Sequence, residues 1–209
     1  GETLTRLSFE GINDFPIWTA DGKRIAYRSQ RSGVPNQNLY WRPANGSGAE
    51  ERLTTRENNQ NALSFSPDGK ILVYSEQNPK TGWDLWALPL EGERKPRPVL
   101  KTPFHESTAR LSPDGRWLAY VSDESERSEV YVQPFPGPGG KYPISTEGGN
   151  EISWGKNGEL FYRTGANREK MMVVDTRTQP GFSAGKPRLL FEGSYASNDT
   201  GQKWWSPSY

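Results

Sequence analysis

The sequence predicts an all-β chain assembled from a repeated four-stranded unit, and three observations carry that reading. A hairpin-type turn recurs four times, at Thr19-Ala20-Asp21-Gly22, Ser66-Pro67-Asp68-Gly69, Ser112-Pro113-Asp114-Gly115 and Gly155-Lys156-Asn157-Gly158. Its Asp or Asn positions lie 47, 46 and 43 residues apart. Short apolar runs flank every copy, and helical periodicity of any length is missing. The turn has a mechanism: Pro pre-sets φ, Asp or Asn bonds its own backbone two residues on, and Gly accepts positive φ.

Taken in order, 2–7 alternates and 11–15 is a polar link. The first unit then runs Ile17-Trp18, Arg24-Ile25-Ala26-Tyr27, Asn38-Leu39-Tyr40-Trp41 and Glu51-Arg52-Leu53-Thr54. The second runs Leu63-Ser64-Phe65, Ile71-Leu72-Val73-Tyr74, Trp83-Asp84-Leu85-Trp86 and Pro98-Val99-Leu100. The third runs Ala109-Arg110-Leu111, Trp117-Leu118-Ala119-Tyr120, Val130-Tyr131-Val132 and Pro143-Ile144-Ser145. The fourth runs Ile152-Ser153-Trp154, Leu160-Phe161-Tyr162, Met171-Met172-Val173-Val174 and Arg188-Leu189-Leu190-Phe191. Four short strands every ~40–50 residues are the pattern of a β-propeller blade. Trp18, Phe65, Leu111 and Trp154 align on the first strand, and Tyr27, Tyr74, Tyr120 and Tyr162 end the second. These residues are expected between neighbouring sheets, because one blade cannot bury its faces without the next.

The expected organisation is a single partial propeller over 1–209, with complete blades at about 12–55, 58–102, 105–147 and 148–193. Segments 1–8 and 194–209 then belong to incomplete blades: Leu4 to Leu7 reads as an outermost strand, and Trp205-Ser206-Pro207 echoes Phe65-Ser66-Pro67. An innermost and an outermost strand cannot close a ring by pairing directly, and six blades at ~45 residues would need ~270. The chain opens at Gly1 without an initiator Met, which reads as an excerpt of a longer protein. The other reading is a homodimer in which two copies complete the ring.

Composition narrows the function classes. The 209 residues carry 22 Gly, 17 Pro, 8 Trp, 9 Tyr and 8 Phe, a mixture suited to short strands and punctuated turns. Net charge is +1, from 26 basic and 25 acidic residues, with no polybasic block, so no nucleic-acid partner is expected. No apolar run approaches the ~20 residues of a membrane span, so no membrane insertion is expected of this chain. Cysteine is absent, which excludes disulfides and thiolate metal sites.

The repeats resemble the TolB-like, or WD-like repeat, propellers of bacterial proteins. The resemblance rests on Phe65-Ser66-Pro67-Asp68-Gly69-Lys70, Ile71-Leu72-Val73-Tyr74-Ser75 and Asp84-Leu85-Trp86 in the second unit. The third matches with Ser112 to Arg116, Leu118-Ala119-Tyr120-Val121-Ser122-Asp123 and Glu129-Val130-Tyr131-Val132. The pattern departs at Ala20 and at Gly155-Lys156-Asn157. Gly82-Trp83-Asp84-Leu85-Trp86, Val132-Gln133-Pro134-Phe135-Pro136-Gly137 and Phe182-Ser183-Ala184-Gly185-Lys186-Pro187 are similar to a subgroup that often follows a bacterial Ser/Thr kinase domain. The chain has neither a glycine-rich nucleotide loop nor a catalytic Asp motif, so kinase activity is not expected in it. The resemblance implies a binding or sensing module in the periplasm or otherwise outside the cytoplasmic membrane. It does not imply a ligand, because propellers host unrelated functions.

Candidate site residues come from the links that precede each unit. They are Asn13-Asp14, Asn59-Gln60-Asn61, His105-Glu106 and Asn150-Glu151, all near one mouth of the expected channel. Asp14, Asn61, His105, Glu106, Asn150 and Glu151 form either a binding funnel for a peptide, sugar or cation, or simply a wet polar rim. His105 is the only histidine, so a His-rich metal centre is excluded and any Ser-His-Asp triad must use it. Arg28 and Arg163, which follow aligned tyrosines, point to the same region if the register holds, since one residue reverses the face of a strand.

The 123–126 acidic tip lacks the spacing of a Ca²⁺ loop. Trp41, Trp83 and Trp86 are a sugar platform or, as the commoner use of Trp on half-buried strands, packing. Trp204 and Trp205 mark a candidate protein interface at an open end. No Gly-x-Ser-x-Gly occurs, no cofactor is expected, and the reading is a non-enzymatic binding or scaffold module with a protein or small polar partner. The alternative is the substrate-gating propeller of a prolyl-oligopeptidase-like hydrolase whose catalytic domain lies elsewhere.

Overall fold

The computed structural model describes residues 6–193. Strands β1 (Ile12–Trp18), β2 (Arg24–Gln30), β3 (Asn38–Pro43) and β4 (Glu51–Arg52) form the first sheet in sequential order. β5 (Gln60–Phe65), β6 (Ile71–Asn78), β7 (Gly82–Pro89) and β8 (Arg97–Leu100) form the second. β9 (Glu106–Leu111), β10 (Trp117–Ser122), β11 (Glu129–Pro134) and β12 (Tyr142–Pro143) form the third. The fourth holds β13 (Asn150–Trp154), β14 (Leu160–Thr164) and β15 (Lys170–Val174), interrupted by a small hairpin of β16 (Thr176–Arg177) and β17 (Ser183–Ala184), and ends with β18 (Arg188–Glu192). Every pairing is antiparallel, and the architecture is an all-β propeller of four-stranded blades.

The predicted turns recur as one hydrogen-bonded device. Thr19, Ser66 and Ser112 each donate a hydroxyl hydrogen bond at 2.6 Å to Asp21, Asp68 and Asp114. Each hydroxyl also accepts from the first amide of the returning strand, at Arg24 (3.0 Å), Ile71 (2.9 Å) and Trp117 (3.0 Å). In the fourth turn Gly155 has no hydroxyl, and only Asn157 accepts, from the Glu159 amide at 3.3 Å.

Three apolar clusters lie between consecutive blades. Ala26, Leu39 and Trp41 meet Ala62, Leu72 and Tyr74; Leu63, Val73 and Leu85 meet Leu111, Leu118 and Tyr120; Val121, Val130 and Val132 meet Ile152, Leu160 and Tyr162. The aligned first-strand aromatic and second-strand tyrosine of a blade thus face the preceding blade. That rule explains a departure from expectation. Phe65, Leu111 and Trp154 pack in seams, but Trp18 is 54% exposed because no blade precedes it among the described residues. On that face Tyr27 is still covered, by Leu7, Ala44 and the Glu50 carboxylate.

Arg6 and Leu7, expected to finish an outermost strand over Leu4 to Leu7, carry no strand, and Arg42 donates to the Leu7 carbonyl instead. The β16–β17 hairpin was not foreseen. It sends Phe182 back into the third seam, 5.0 Å from the rings of both Trp117 and Tyr142, while the Trp117 indole donates to the Thr178 carbonyl at 3.1 Å.

Candidate functional site

The first strands β1, β5, β9 and β13 touch one another in succession, which makes them the inner wall around the propeller axis. Each carries a bulge, between Asp14 and Ile17, Ala62 and Ser64, Ser107 and Ala109, and Asn150 and Ser153. Bulges bend a strand and re-aim side chains. In three of them the extra residue takes positive φ: Phe15 (54°), Thr108 (41°) and Glu151 (53°).

Two of the predicted residues are brought together by an arginine. Arg28, paired across the ladder with Asp14, forms a two-pronged ion pair with it, the second prong at 2.8 Å. Its Nη1 then crosses to the next blade and donates to Asn61 Oδ1 at 2.7 Å, and its guanidinium lies 4.1 Å from the Phe15 ring centre. Asn61 in turn donates to Ser75 Oγ at 3.3 Å. Blade four repeats the theme: Glu151 accepts from Arg163 at 3.1 Å and from Arg168 at 2.8 Å, with Asn150 opposite Arg163 in the ladder. Both arginines that followed aligned tyrosines therefore face the inner strands.

His105 and Glu106 belong to a different group. Glu106 is 1% exposed in the seam between blades two and three, where its carboxyl accepts the Thr102 hydroxyl bond while its second oxygen has no hydrogen-bond partner among the described residues. Burial is the main cause that pushes this carboxyl up to about 7, with the Asp84 and Asp123 carboxylates adding to it against the Thr102 bond. The His105 amide donates to Asp123 at 2.9 Å, and its ring rests on Gly82, where an added Cβ would lie 2.8 Å from Nδ1. Gly82 has φ of 96°, a conformation glycine adopts without strain. The Arg28 fork is taken up by Asp14 and Asn61, away from this group.

The remaining candidates fall away from the wall. Trp41 fills the first seam and donates to Glu51 at 2.7 Å, and Trp86 packs against the same cluster. In the acidic tip Glu124 pairs with Lys141, and Asp123 is taken by the His105 amide. Among the described residues no group of three or more His, Asp or Glu side chains is placed to hold a metal ion. Trp204 and Trp205 lie outside the described residues.

Arg110 is the residue that the sequence reading passed over. It is the single arginine of the four first strands. Its Nη1 donates to the carbonyls of Leu63 at 2.6 Å and Ala109 at 3.0 Å, and no carboxylate pairs with it among the described residues. Burial pushes this guanidinium down to about 10, which leaves it charged at neutral pH. The neighbouring wall is hydroxylic: Ser64 accepts from the Leu111 amide at 3.1 Å, and Ser153 holds the position equivalent to Arg110 one blade on. The signal that marks Arg110 is its cation at a position where the aligned units have Ile17, Ser64 and Ser153.

Fold and wall together define a β-propeller, and its fold is similar to that of solved TolB structures. TolB from Acinetobacter baumannii is similar with a TM-score of 0.69 and 21% identity, over 88% of this chain and 45% of that one. A TolB-type protein from Agrobacterium tumefaciens gives 0.71 at 16% identity, over 88% and 67%. A nidogen/laminin complex gives 0.67 at 10%, over 88% and 66%. The chain thus spans just under half of the first structure and about two thirds of the next two. No protein-family model matches the sequence, and no curated protein matches it.

Proposed function

We propose that the chain is a non-enzymatic binding module of a longer extracytoplasmic protein, and that its inner wall receives an acidic group of a protein or small polar ligand. The observation that carries this reading is the missing counter-ion at Arg110. Arg28 and Arg163 are neutralised by Asp14 and Glu151, whereas among the described residues Arg110 is held by two carbonyl oxygens alone. A half-buried cation that lacks an anion is costly, and a ligand carboxylate relieves that cost through charge-assisted hydrogen bonds. Ser64 and Ser153 hold the equivalent positions on the adjacent first strands. The location outside the cytoplasm rests on the resemblance to TolB-like propellers.

Screening the chain and its Arg110→Gln variant against one array of acidic and neutral peptides tests the proposal. Acidic peptides retained by the parent chain and lost by R110Q are expected. Equal retention by both, or turnover of any peptide by the chain, overturns it.

A second reading has its own support. A structure of prolyl endopeptidases is similar with a TM-score of 0.57 at 16% identity, over 85% of this chain and 29% of that one. In that reading the propeller gates access to a catalytic domain encoded beyond this segment. A Gly-x-Ser-x-Gly followed by Asp and His in the flanking sequence favours it.

A further inference from the structure

The outermost strand of a propeller blade is an open edge whichever blades complete the ring, since added blades cover faces and not rims. Sheet edges offer unpaired amides and carbonyls to other chains, and proteins blunt them by shortness, proline or charge. Three rims here follow that practice. β4 is the two residues Glu51–Arg52, β8 carries Pro98, and β12 is Tyr142–Pro143. β18 departs from it: its five residues hold no proline and carry charge only at the two ends, β15 is its only ladder partner among the described residues, and Leu189, Leu190 and Phe191 are 52%, 47% and 43% exposed.

We propose that β18 is a self-association strand, which pairs edge to edge and antiparallel with β18 of a second copy of this chain. The argument for a second copy is the charge pattern of Arg188-Leu189-Leu190-Phe191-Glu192. Reversed about Leu190, the strand is complementary to itself: Arg188 meets Glu192 of the other copy twice, and Leu189 meets Phe191 twice. A two-fold axis demands this isologous arrangement. Both charges are available for it. Arg188 is 54% exposed and reaches Glu159 and Asp175 only at 3.4 Å and 3.3 Å, while Glu192 has no ion pair or hydrogen bond through its side chain among the described residues. Leu190 sits in a bulge, between Leu189 opposite Met172 and Phe191 opposite Met171, so it is the residue that β15 leaves without a partner. This association differs from ring completion, which would use blade faces, and it does not depend on the ligand at Arg110.

One short strand buries less than the ~1,200 Å² of a stable interface, so the dimer is weak and forms at high concentration. Sedimentation equilibrium of the 209-residue chain from about 10 µM to about 1 mM is the test. A monomer–dimer equilibrium is expected, with R188E and E192R each weakening it at least ~10-fold, since like charges then oppose one another across the pair. Mixing the two variants restores dimerisation, because each supplies the charge the other lacks. A chain that stays monomeric throughout, a dimer indifferent to both reversals, or a mixture no stronger than its components overturns the proposal. Far-UV circular dichroism checks folding of each variant. If either reversal unfolds the chain, R188Q and E192Q replace them, and weaker dimerisation of both is expected.

Discussion

Arg28 of β2 and Asn61 of β5 join two blades across the inner wall, through a hydrogen bond of 2.7 Å from Nη1 to Oδ1. The same guanidinium neutralises Asp14, whose side chain is only 22% exposed. One planar fork thus serves a partner in its own blade and another in the next, a geometry lysine cannot reproduce. Arg28→Ala leaves Asp14 charged and largely desolvated, and is expected to cost roughly 2–4 kcal/mol. Arg28→Lys is expected to recover less than half of that loss. Urea denaturation midpoints of the three chains measure both, and a midpoint unchanged in the alanine variant contradicts the account.

Glu106 gives the fold a pH dependence of defined sign. Its carboxyl is raised to about 7 in the fold against an ordinary value of 4.5, so the protonated form is the one the fold favours. The contribution is fully present below about pH 4.5 and is lost as pH rises through 7. The loss is on the order of 3 kcal/mol. The chain holds its own replacement at the equivalent position. Gln60, itself uncharged, accepts the Thr54 hydroxyl bond and donates to the Glu76 carboxylate at 2.8 Å. Glu106→Gln is therefore expected to flatten the stability profile between pH 5 and 7.5 and to leave the variant the more stable protein at the upper end. A thermal melt at each pH decides it; a slope identical in both proteins assigns the dependence to another group.

Equivalent positions do not carry equal energy. Leu111 is 7% exposed in the second seam, while Trp18 at the same repeat position is 54% exposed. Leu111→Ala is expected to cost roughly 2–4 kcal/mol through lost burial and the cavity it leaves. Trp18→Ala, a larger truncation, is expected to change stability by less than about 0.5 kcal/mol. Chemical denaturation of both variants gives the comparison, and a Trp18 variant as damaged as the Leu111 one means that something covers this face.

The same pair marks what the sequence can disclose. Turn chemistry and strand alternation are local, so the four units, their turns and the inward tyrosines are legible from residues alone. Burial of Trp18 depends on a neighbouring blade, which no alignment of repeats supplies. The facing of Arg28 and Arg163 was open because the first strands bulge, as between Asp14 and Ile17, and a bulge shifts the register on which face assignment depends. Glu106 reads as a wet link residue beside His105, yet the strand begins at Glu106 itself and turns its side chain into the seam. The β16–β17 hairpin escaped notice because its strands are two residues long, below any periodicity. Arg110 was visible as a letter, but its lack of a counter-ion is a property of three dimensions.

The turn hydroxyls make the acid response of the blades unequal. The Ser66 hydroxyl, and after it the Lys70 amide, holds the Asp68 carboxyl below its ordinary range, as the Thr19 hydroxyl and the Lys23 amide do for Asp21. For Asp114 burial acts in the opposite sense, and the bonds from Ser112 and Thr178 outweigh it. A depressed carboxyl contributes stability above its unfolded value of 3.8 and loses it as pH falls through the folded one. As pH falls through those lowered folded values, the first three turns therefore surrender the acceptor that organises them. The fourth has no such group: Asn157 does not titrate and Gly155 offers no hydroxyl. Hydrogen exchange, corrected for intrinsic rates, is expected to show the Lys70 and Arg116 amides losing protection between pH 5 and pH 2.5 while the Glu159 amide does not. Ser66→Ala removes the hydroxyl from Asp68 and from the Ile71 amide together, and is expected to cost about 1–2 kcal/mol at pH 6 and less in acid. Equal acid sensitivity at all four turns would show that the amides respond to loosening of whole blades, with the Asp carboxylates as bystanders.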